Sequence, residues 1–355
     1  MISDASDRIV GAFIFPDVWQ QWTEDEAKRR LEDLAGYGVN AIFTESETYR
    51  DDLIDLAHEQ GFRWFGGIAC FSDHANGHQI LRQRPELWPV QESGRPRSQM
   101  EWYIGVTPTF HDYNQSILEM IQRVVEAHPL DGLFLDFIRW PIHWELEARV
   151  GAAPPSQSSF DPHTMGRFQE ETGIRLPGEL TDIADRARWI LAHHRSEWTN
   201  FKCAVITDFV RQVVTRIRSV RGDDLMVGLY VPPLPSNWLE AWAGQRLSEL
   251  AGLVDIVSPM AYHAILHRAS DWVGEVIADW STQVPHPLLP IVQVDSEEGT
   301  NSGADWGPPI PLEEWGGLVR LVWSSRAVMG LVAFTGTALL ANGRGEKLLE
   351  SLKES

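Results

Sequence analysis

The sequence is poor in cysteine and has no long apolar run. Its two cysteines among 355 residues, Cys70 and Cys203, lack the spacing of a metal-binding pair, so we expect two buried thiols rather than a disulfide. No apolar run approaches the roughly 18 residues that a membrane-spanning helix needs. The amino terminus also lacks the basic region and apolar stretch of a signal peptide. We therefore expect a soluble, cytoplasmic protein that has no membrane partner.

Basic residues are also scarce. The chain has 50 acidic and 30 basic residues, and its formal net charge is −20. This charge argues against nucleic acid and anionic membranes as partners, whereas a neutral ligand would be indifferent to it. Hydrophobic residues make up 43% of the chain, with 16 Trp and 14 Phe, which is enough for a sizeable core. The length fits one large domain or two ordinary ones.

Short apolar runs alternate with amphipathic segments along the whole chain. Apolar runs bounded by turn residues predict strands, and apolar residues at helical spacing predict helices. The predicted strands are residues 9–15, 39–43, 62–71, 133–135, 226–231, 254–260, 290–294 and 329–335. The predicted helices are residues 24–36, 50–59, 113–127, 199–220, 238–250, 270–280, 311–326 and 344–353.

Eight strand-helix units in a single pass predict the fold class. This alternation implies parallel strands with right-handed crossovers, and eight units fit a closed (β/α)8 TIM barrel better than an open sheet. Such barrels typically have about 250 residues, and the excess here lies in long insertions after strands three and four, residues 72–109 and 142–195. We therefore predict an α/β protein with one (β/α)8 domain over residues 1–355, whose insertions cover the carboxyl-end mouth.

The fourth predicted strand ends in charged and aromatic residues. An Asp-Gly turn opens the stretch 131–141, three apolar residues follow, and then come Asp136, Arg139, Trp140 and Pro141. A carboxylate and a guanidinium are costly to bury, and the carboxyl ends of barrel strands form the catalytic face. The stretch therefore predicts a site around Asp136. The alternative is that Asp136 pairs with Arg139 and only shapes the loop.

Polar and aromatic residues follow the other strands as well. Carboxylates follow the second and seventh strands, and a pocket lined by aromatic and polar side chains is the usual design for a small ligand. Tyr262 and His263 could instead be satisfied core groups, and several tryptophans surely pack in the core. The predicted pocket residues are Arg139, Trp140, Tyr230, Tyr262, His263 and Gln293, with Glu45 and Asp295 as further carboxylates.

Several kinds of chemistry lack their residues at these strand ends. No lysine is placed for a Schiff base, and no Ser-His-Asp arrangement or Gly-rich phosphate loop is recognisable. Asp73, His74 and His78 form the nearest group of metal-type ligands, and we expect a solvated loop there, because such short matches often mislead. The sequence therefore predicts neither a metal nor a cofactor. Carboxylates among aromatic rings suit a carbohydrate, whose glycosidic bond is cleaved by a pair of carboxyl groups.

The fourth strand also carries a resemblance. Together with Gly105-Val-Thr-Pro-Thr and the stretch 254–263, the sequence Asp-Gly-Leu-Phe-Leu-Asp-Phe-Ile-Arg-Trp-Pro at 131–141 resembles a large, mostly uncharacterised group of (β/α)8 glycoside hydrolases, amylase-like and family-10-like. The resemblance implies a sugar-cleaving barrel with Asp136 as nucleophile or base. A fainter likeness to chitinase-type barrels fails at two positions, because Ile138 replaces their catalytic Glu and Phe134 replaces their middle Asp.

The second carboxylate is not fixed by the sequence. Amylase-like barrels commonly place a Glu after the fifth strand, and residues 226–233 contain none, so Glu45 and Asp295 are the candidates. We narrowly favour Asp295 as the acid, because it lies two residues past Gln293 and strand alternation would point both side chains into the mouth. We expect Arg139 to hold Asp136 ionised, because a nearby opposite charge favours the charged form.

Two functional classes remain open at this point. The first is a glycosidase that acts on an oligosaccharide or glycoside. The second is a carbohydrate-binding barrel with degraded catalysis, which the missing fifth-strand Glu would fit. A metal-dependent hydrolase is a distant third. The separation between Asp136 and a second carboxyl distinguishes the first two, since glycosidases keep this pair about 5–10 Å apart.

Overall fold

Eight parallel strands close into one barrel in the computed structural model, which describes residues 8–73, 79–100, 103, 105–296 and 305–355. Each strand pairs with its neighbour in chain order, and the first pairs with the eighth. The predicted (β/α)8 barrel is confirmed. The strands are β1 Ile9–Phe13, β2 Ala41–Phe43, β3 Arg63–Ala69, β4 Gly132–Asp136, β5 Met226–Val231, β6 Ile256–Ala261, β7 Ile291–Gln293 and β8 Gly330–Phe334.

Helices surround this barrel and also lie in the insertions. Seven of the eight predicted helices are present, and each begins and ends within four residues of the predicted positions. They are α1 Pro16–Trp19, α2 Glu24–Gly36, α3 Asp51–Glu59, α4 Gln79–Gln83, α5 His111–Ala127, α6 Trp144–Glu147, α7 Pro162–Thr172, α8 Ile183–His193, α9 Arg195–Arg221, α10 Ser236–Trp238, α11 Leu247–Leu250, α12 Trp272–Trp280, α13 Leu312–Trp323 and α14 Arg344–Lys353.

The predicted continuous helix over 238–250 is wrong. The chain instead forms α10, a π-helical turn over Leu239–Ala243, and α11. Gly244 ends the π turn with a φ of +66°, a left-handed conformation that suits glycine. A Cβ atom there would also lie only 2.3 Å from Cδ1 of Trp140. Backbone conformation and close packing therefore both break the helix at this glycine.

Aromatic rings fill the interior of the barrel. The ring of Phe43 stacks on Phe65 at 4.6 Å and meets the edge of Phe134 at 5.4 Å between centroids. Gly228 makes room for these rings, because a Cβ atom there would lie 2.4 Å from the Phe134 ring. The interior is thus a packed core and not a pore. A ligand site must lie above it, where the strands end.

Two carboxylates brace the opposite, amino-terminal face. Asp131 accepts the backbone N–H of Trp64 at 2.6 Å and meets the His58 ring at 2.9 Å. Asp255 accepts the N–H of Val227 at 2.7 Å and is paired with an arginine of α9. Both carboxylates therefore join the starts of strands and lie away from the catalytic face.

The two insertions pack on each other. Gln91 and Ser158 form an isolated antiparallel bridge, and Thr109 and Thr164 are hydrogen-bonded at 2.8 Å. Arg97, which is 3% exposed, contacts both carboxylate oxygens of Glu147 at 2.5 Å. The two excursions therefore form one joined layer, while the single-domain organisation stays a prediction.

Three absences apply to the part of the chain that the structure describes. Its His, Cys, Asp and Glu residues include no group of three that could hold a metal ion, and His74 and His78 lie outside it. None of its helices combines the length and apolar character needed to cross a membrane. Cys70 and Cys203 are buried free thiols, as predicted.

Candidate active site

Strand β4 delivers Asp136 to the mouth of the barrel through a sharp turn. The next residue, Phe137, has a φ of +48°, a conformation that costs a residue with a side chain on the order of 1–3 kcal/mol. Its backbone N–H donates to Oδ1 of Asp136 at 2.6 Å. The side chain of Asp136 is 15% exposed. The local fold therefore places a nearly buried carboxyl in a fixed orientation at the catalytic end of the strand.

Asp136 is hydrogen-bonded to a second carboxyl, that of Glu45, which follows β2. Burial and then the negative charge of Glu45 raise the pKa of Asp136 to about 8, although the charge of Arg139 opposes both effects. The prediction that Arg139 keeps Asp136 ionised is therefore wrong, because burial and the neighbouring carboxylate outweigh it. Ionising both of two carboxyls in contact is costly, because their negative charges repel each other. The pair therefore retains a proton.

Arg139 lies beside this pair and is only 1% exposed. Its Nη1 is 3.9 Å from Oδ1 of Asp136, and its guanidinium carbon lies 4.9 Å and 4.8 Å from the ring centroids of Tyr103 and Phe137. None of its three guanidinium nitrogens has a hydrogen-bond acceptor among the described residues. Buried donors without an acceptor are costly, so this cation is suited to bind oxygen atoms of a ligand.

Two tyrosines border the same carboxyls. Tyr230 stacks on Phe134 at 4.7 Å, and its buried hydroxyl has no partner in the described part of the chain. Tyr262 stacks on Phe334 at 4.6 Å. The pKa of each phenol is raised, first by burial and then by the charge of Asp136. The structure therefore brings Asp136, Glu45, Arg139, Tyr230 and Tyr262 together.

Sequence reasoning missed Glu145, a third carboxyl at this place. It lies in α6 of the second insertion, is 8% exposed, and its Oε2 has no hydrogen-bond partner among the described residues. Burial raises its pKa to about 7, and Arg139 opposes this rise. The charge of Glu145 also raises the pKa of Tyr262. Its only sequence signal is a pair of acidic residues, in Trp-Glu-Leu-Glu at 144–147, soon after the fourth-strand motif.

Tyr103 and His143 were missed too. The Tyr103 hydroxyl is buried without a partner in the described structure, and burial raises its pKa to about 12. The His143 ring meets Tyr103 edge-on at 5.6 Å. Burial and the charges of Arg97 and Arg139 lower the pKa of His143 to about 3. This imidazole therefore stays neutral near pH 7 and contributes no charge to the site.

Trp140 does not have the predicted place. Its Nε1 donates to the backbone oxygen of Lys202 at 3.0 Å, and its ring packs 6.3 Å from Trp198 and 6.1 Å from Phe201. The indole thus anchors the loop after β4 on α9, and the prediction that it lines the pocket is not supported.

Gln293 joins loops instead of facing a ligand. Its amide oxygen accepts the N–H of Ile265 at 3.1 Å, and its amide nitrogen donates to the backbone oxygens of Asp295 at 3.3 Å and Trp306 at 2.9 Å. These bonds satisfy the buried amide. It positions the loops after β6 and β7.

Asp295 and His263 also have partners elsewhere. Asp295 is paired with Arg344 at the start of α14 and accepts the N–H of Ser296. The His263 ring is 3.2 Å from Glu314, and burial lowers the pKa of this imidazole. His263 lines a separate cavity of about 420 Å³, together with His267, Arg268, Glu314 and residues 308–310.

Comparisons with known proteins identify solved structures with a similar fold. No protein-family model and no curated protein matches the chain. Similar solved structures include the PgaB (BpsB) glycoside hydrolase domain of Bordetella bronchiseptica, with 16% identity and a TM-score of 0.66, covering 98% of each chain. The catalytic domain of a β-amylase from Paenibacillus polymyxa has 11% identity, a TM-score of 0.69 and 99% coverage of each chain. A Chromobacterium violaceum chitinase has 11% identity, a TM-score of 0.53 and 98% coverage of each chain. At these identities the comparisons show that the chain shares the barrel fold of the three proteins.

Proposed function

We propose that the protein is a glycosidase that hydrolyses an O-glycosidic bond of an oligosaccharide or glycoside. The observation that carries the proposal is the hydrogen-bonded pair of Asp136 and Glu45 at the end of β4 and β2, beside the buried guanidinium of Arg139. A strongly raised carboxyl pKa in a site with a specific charged neighbour is typical of catalytic residues. Loop shaping alone would not need the buried, unpaired donors of Arg139.

Asp136 serves as the proton donor in this proposal. Its pKa of about 8 keeps it protonated near neutral pH, which is the state that a general acid needs. The proton goes to the leaving-group oxygen as the glycosidic bond breaks. This role differs from the nucleophile or base that the sequence resemblance implies, and the raised pKa is the reason.

The neighbouring side chains suit a carbohydrate. Tyrosine rings can pack on the apolar face of a pyranose, and buried N–H and O–H groups can bond its hydroxyls. Tyr230, Tyr262 and Arg139 supply such groups around Asp136. The names of the similar structures, a glycoside hydrolase domain, a β-amylase and a chitinase, support the same substrate class.

Of the two further carboxylates in the sequence prediction, Glu45 is the better placed. Its negative charge and its hydrogen bond favour the protonated form of Asp136. Asp295 was narrowly favoured as the acid, and its ion pair with Arg344 gives it a role in joining β7 to α14. We therefore propose that Asp136 is the acid, that Glu45 is the carboxylate beside it, and that Asp295 has no catalytic role.

A panel of aryl glycosides tests the function. We expect the wild type to hydrolyse at least one sugar of the panel, and Asp136→Asn to reduce kcat/KM 10²-fold or more for substrates with poor leaving groups. Asp279→Asn, at an exposed aspartate of α12, is the matched control and should be fully active. Full activity of Asp136→Asn on substrates with poor leaving groups would refute the proposal. Sugar binding by calorimetry without any turnover would favour the carbohydrate-binding alternative.

A further inference from the structure

The site has one buried carboxyl that the acid pair leaves unused. Glu145 is 8% exposed, its Oε2 has no partner among the described residues, and the ring of the adjacent Trp144 lies 5.8 Å from that of Tyr262. The charge of Arg139, which lies beside Asp136, also lowers the pKa of Glu145. The negative charges of Asp136 and Glu145 also both raise the pKa of the Tyr262 phenol. Asp136 and Glu145 therefore share two neighbours but come from different elements, the end of β4 and helix α6.

The two carboxyls differ in their readiness to ionise. The pKa of Glu145 is raised to about 7 by burial, and that of Asp136 to about 8 by burial and by Glu45. Asp136 thus has the stronger tendency to keep its proton, and Glu145 ionises more readily. A carboxylate that takes part in attack and a carboxylic acid that gives a proton are the two groups that glycoside hydrolysis requires.

The position of Glu145 is fixed by contacts of Glu147 in the same single turn of α6. Glu147 accepts the backbone N–H of His143, the residue that precedes the helix, at 2.7 Å. Arg97 of the first insertion binds both oxygens of Glu147, and it donates to the backbone oxygen of Ser156 at 2.9 Å. These bonds hold the short helix in the joined insertions. A catalytic group gains from such a supporting shell, because small displacements reduce the rate strongly.

Unpartnered donors support a ligand at this place independently of the carboxyls. The three guanidinium nitrogens of Arg139 and the hydroxyls of Tyr230 and Tyr103 are buried and have no partner in the described residues. Structural networks usually satisfy buried donors. Donors without acceptors around two ionisable carboxyls fit a site that is completed by the oxygen atoms of a substrate.

We propose that Glu145 is the second catalytic carboxylate, opposite in role to the acid Asp136. This inference rests on the proposed glycosidase function. Glu145 attacks the anomeric carbon directly, or it removes a proton from a water whose oxygen forms the new bond to that carbon. In either case the bond to the leaving oxygen breaks, its electron pair stays on that oxygen, and Asp136 supplies the proton. After direct attack, water then cleaves the ester between Glu145 and the sugar.

Azide rescue of Glu145 variants tests this role. In Glu145→Gln and Glu145→Ala we expect kcat/KM to fall at least 10³-fold on every aryl glycoside, including 2,4-dinitrophenyl substrates that need no acid. Sodium azide should restore turnover of Glu145→Ala and yield a glycosyl azide, because the small anion replaces the missing carboxylate. Glu170→Gln, at an exposed position of α7 in the same insertion, should retain wild-type rates. Circular dichroism melts establish that each variant is folded.

The outcomes separate this inference from the proposed function. If the wild type is active, Asp136→Asn is impaired, and a folded Glu145→Gln stays within tenfold of the wild type, the role of Glu145 is refuted while the function stands. A loss confined to substrates with poor leaving groups would make Glu145 an acid and would also refute the assignment. If the wild type hydrolyses no glycoside, both proposals fail. Rescue with formation of the glycosyl azide supports both.

Discussion

Replacing Glu45 by glutamine should change the pH dependence of the proposed hydrolysis in one direction. The negative charge of Glu45 helps to raise the pKa of Asp136 to about 8. Glutamine removes that charge, and its amide can donate a hydrogen bond to the ionised form of Asp136. Both effects favour the carboxylate. The pKa of Asp136 should therefore fall, and the proton donor should be lost at a lower pH than in the wild type.

The size of the shift follows from the contact between the two carboxyls. Two unit charges about 4 Å apart interact by about 4 kcal/mol at an effective dielectric constant of 20, which equals about three pKa units. Glu45 is only half-buried, so solvent and salt screen part of the interaction. We expect a fall of about one to two units. At pH 8 the protonated fraction of Asp136 should then drop from about a half to about a tenth or less.

The assay is the profile of kcat/KM against pH for one aryl glycoside that the wild type hydrolyses. The wild type should give a bell with limbs near the pKa values of Glu145 and Asp136, about 7 and about 8. In Glu45→Gln the alkaline limb should move to a lower pH. Glu47→Gln, an exposed neighbour, is the control and should leave both limbs in place. An alkaline limb that stays fixed or rises in Glu45→Gln would refute the reasoning.

Two further predictions concern stability. Because the folded protein binds the Asp136 proton more tightly than the unfolded chain, wild-type stability should fall as the pH rises from about 4 to about 8. Asp136→Asn cannot ionise, so urea unfolding should show a gain of about 2–5 kcal/mol over the wild type at pH 8.5 and little gain at pH 4; an equal effect at both values would contradict this. Gly228→Ala places a methyl group against the ring of Phe134 and should destabilise the barrel by about 1–3 kcal/mol in the same assay, whereas Gly178→Ala, at an open position, should cost less.

The barrel was predictable because its signals are local. Each strand is an apolar run closed by a turn or a polar residue, and each long helix has apolar residues at helical spacing. The prediction of one helix over 238–250 failed at Gly244. A single glycine inside an apolar pattern is compatible with a helix, and only the folded chain shows its left-handed conformation and its close packing on Trp140.

The site was predictable to the level of strand ends but not of side-chain directions. Asp136, Glu45 and Tyr230 follow or end strands and meet as expected. Asp295 was favoured by strand alternation, yet β7 ends at Gln293, and alternation does not extend beyond a strand. The direction of a side chain in a loop depends on tertiary partners, such as Arg344 for Asp295, that are distant in sequence.

The missed residues lie in the insertions, where no periodic pattern identifies the functional face. Glu145 lies in a one-turn helix whose last residue, Glu147, is bound by Arg97, 50 residues before it in the sequence. The ionisation of Asp136 was also beyond the sequence, because burial and the contact with Glu45 exist only in the folded chain. Proximity in sequence suggested Arg139 as the dominant neighbour, and the structure shows that burial dominates instead.

The most direct test of the central claim, that Asp136 is the proton donor of a glycosidase, is its leaving-group dependence. The measurement compares kcat/KM of the wild type and Asp136→Asn over a series of aryl glycosides of one sugar, from 2,4-dinitrophenyl to 4-methoxyphenyl. The account predicts nearly equal rates for the first and a loss that grows to 10²-fold or more toward the second, because only poor leaving groups need the proton. A loss that is the same for every leaving group, or no loss at all, would contradict it.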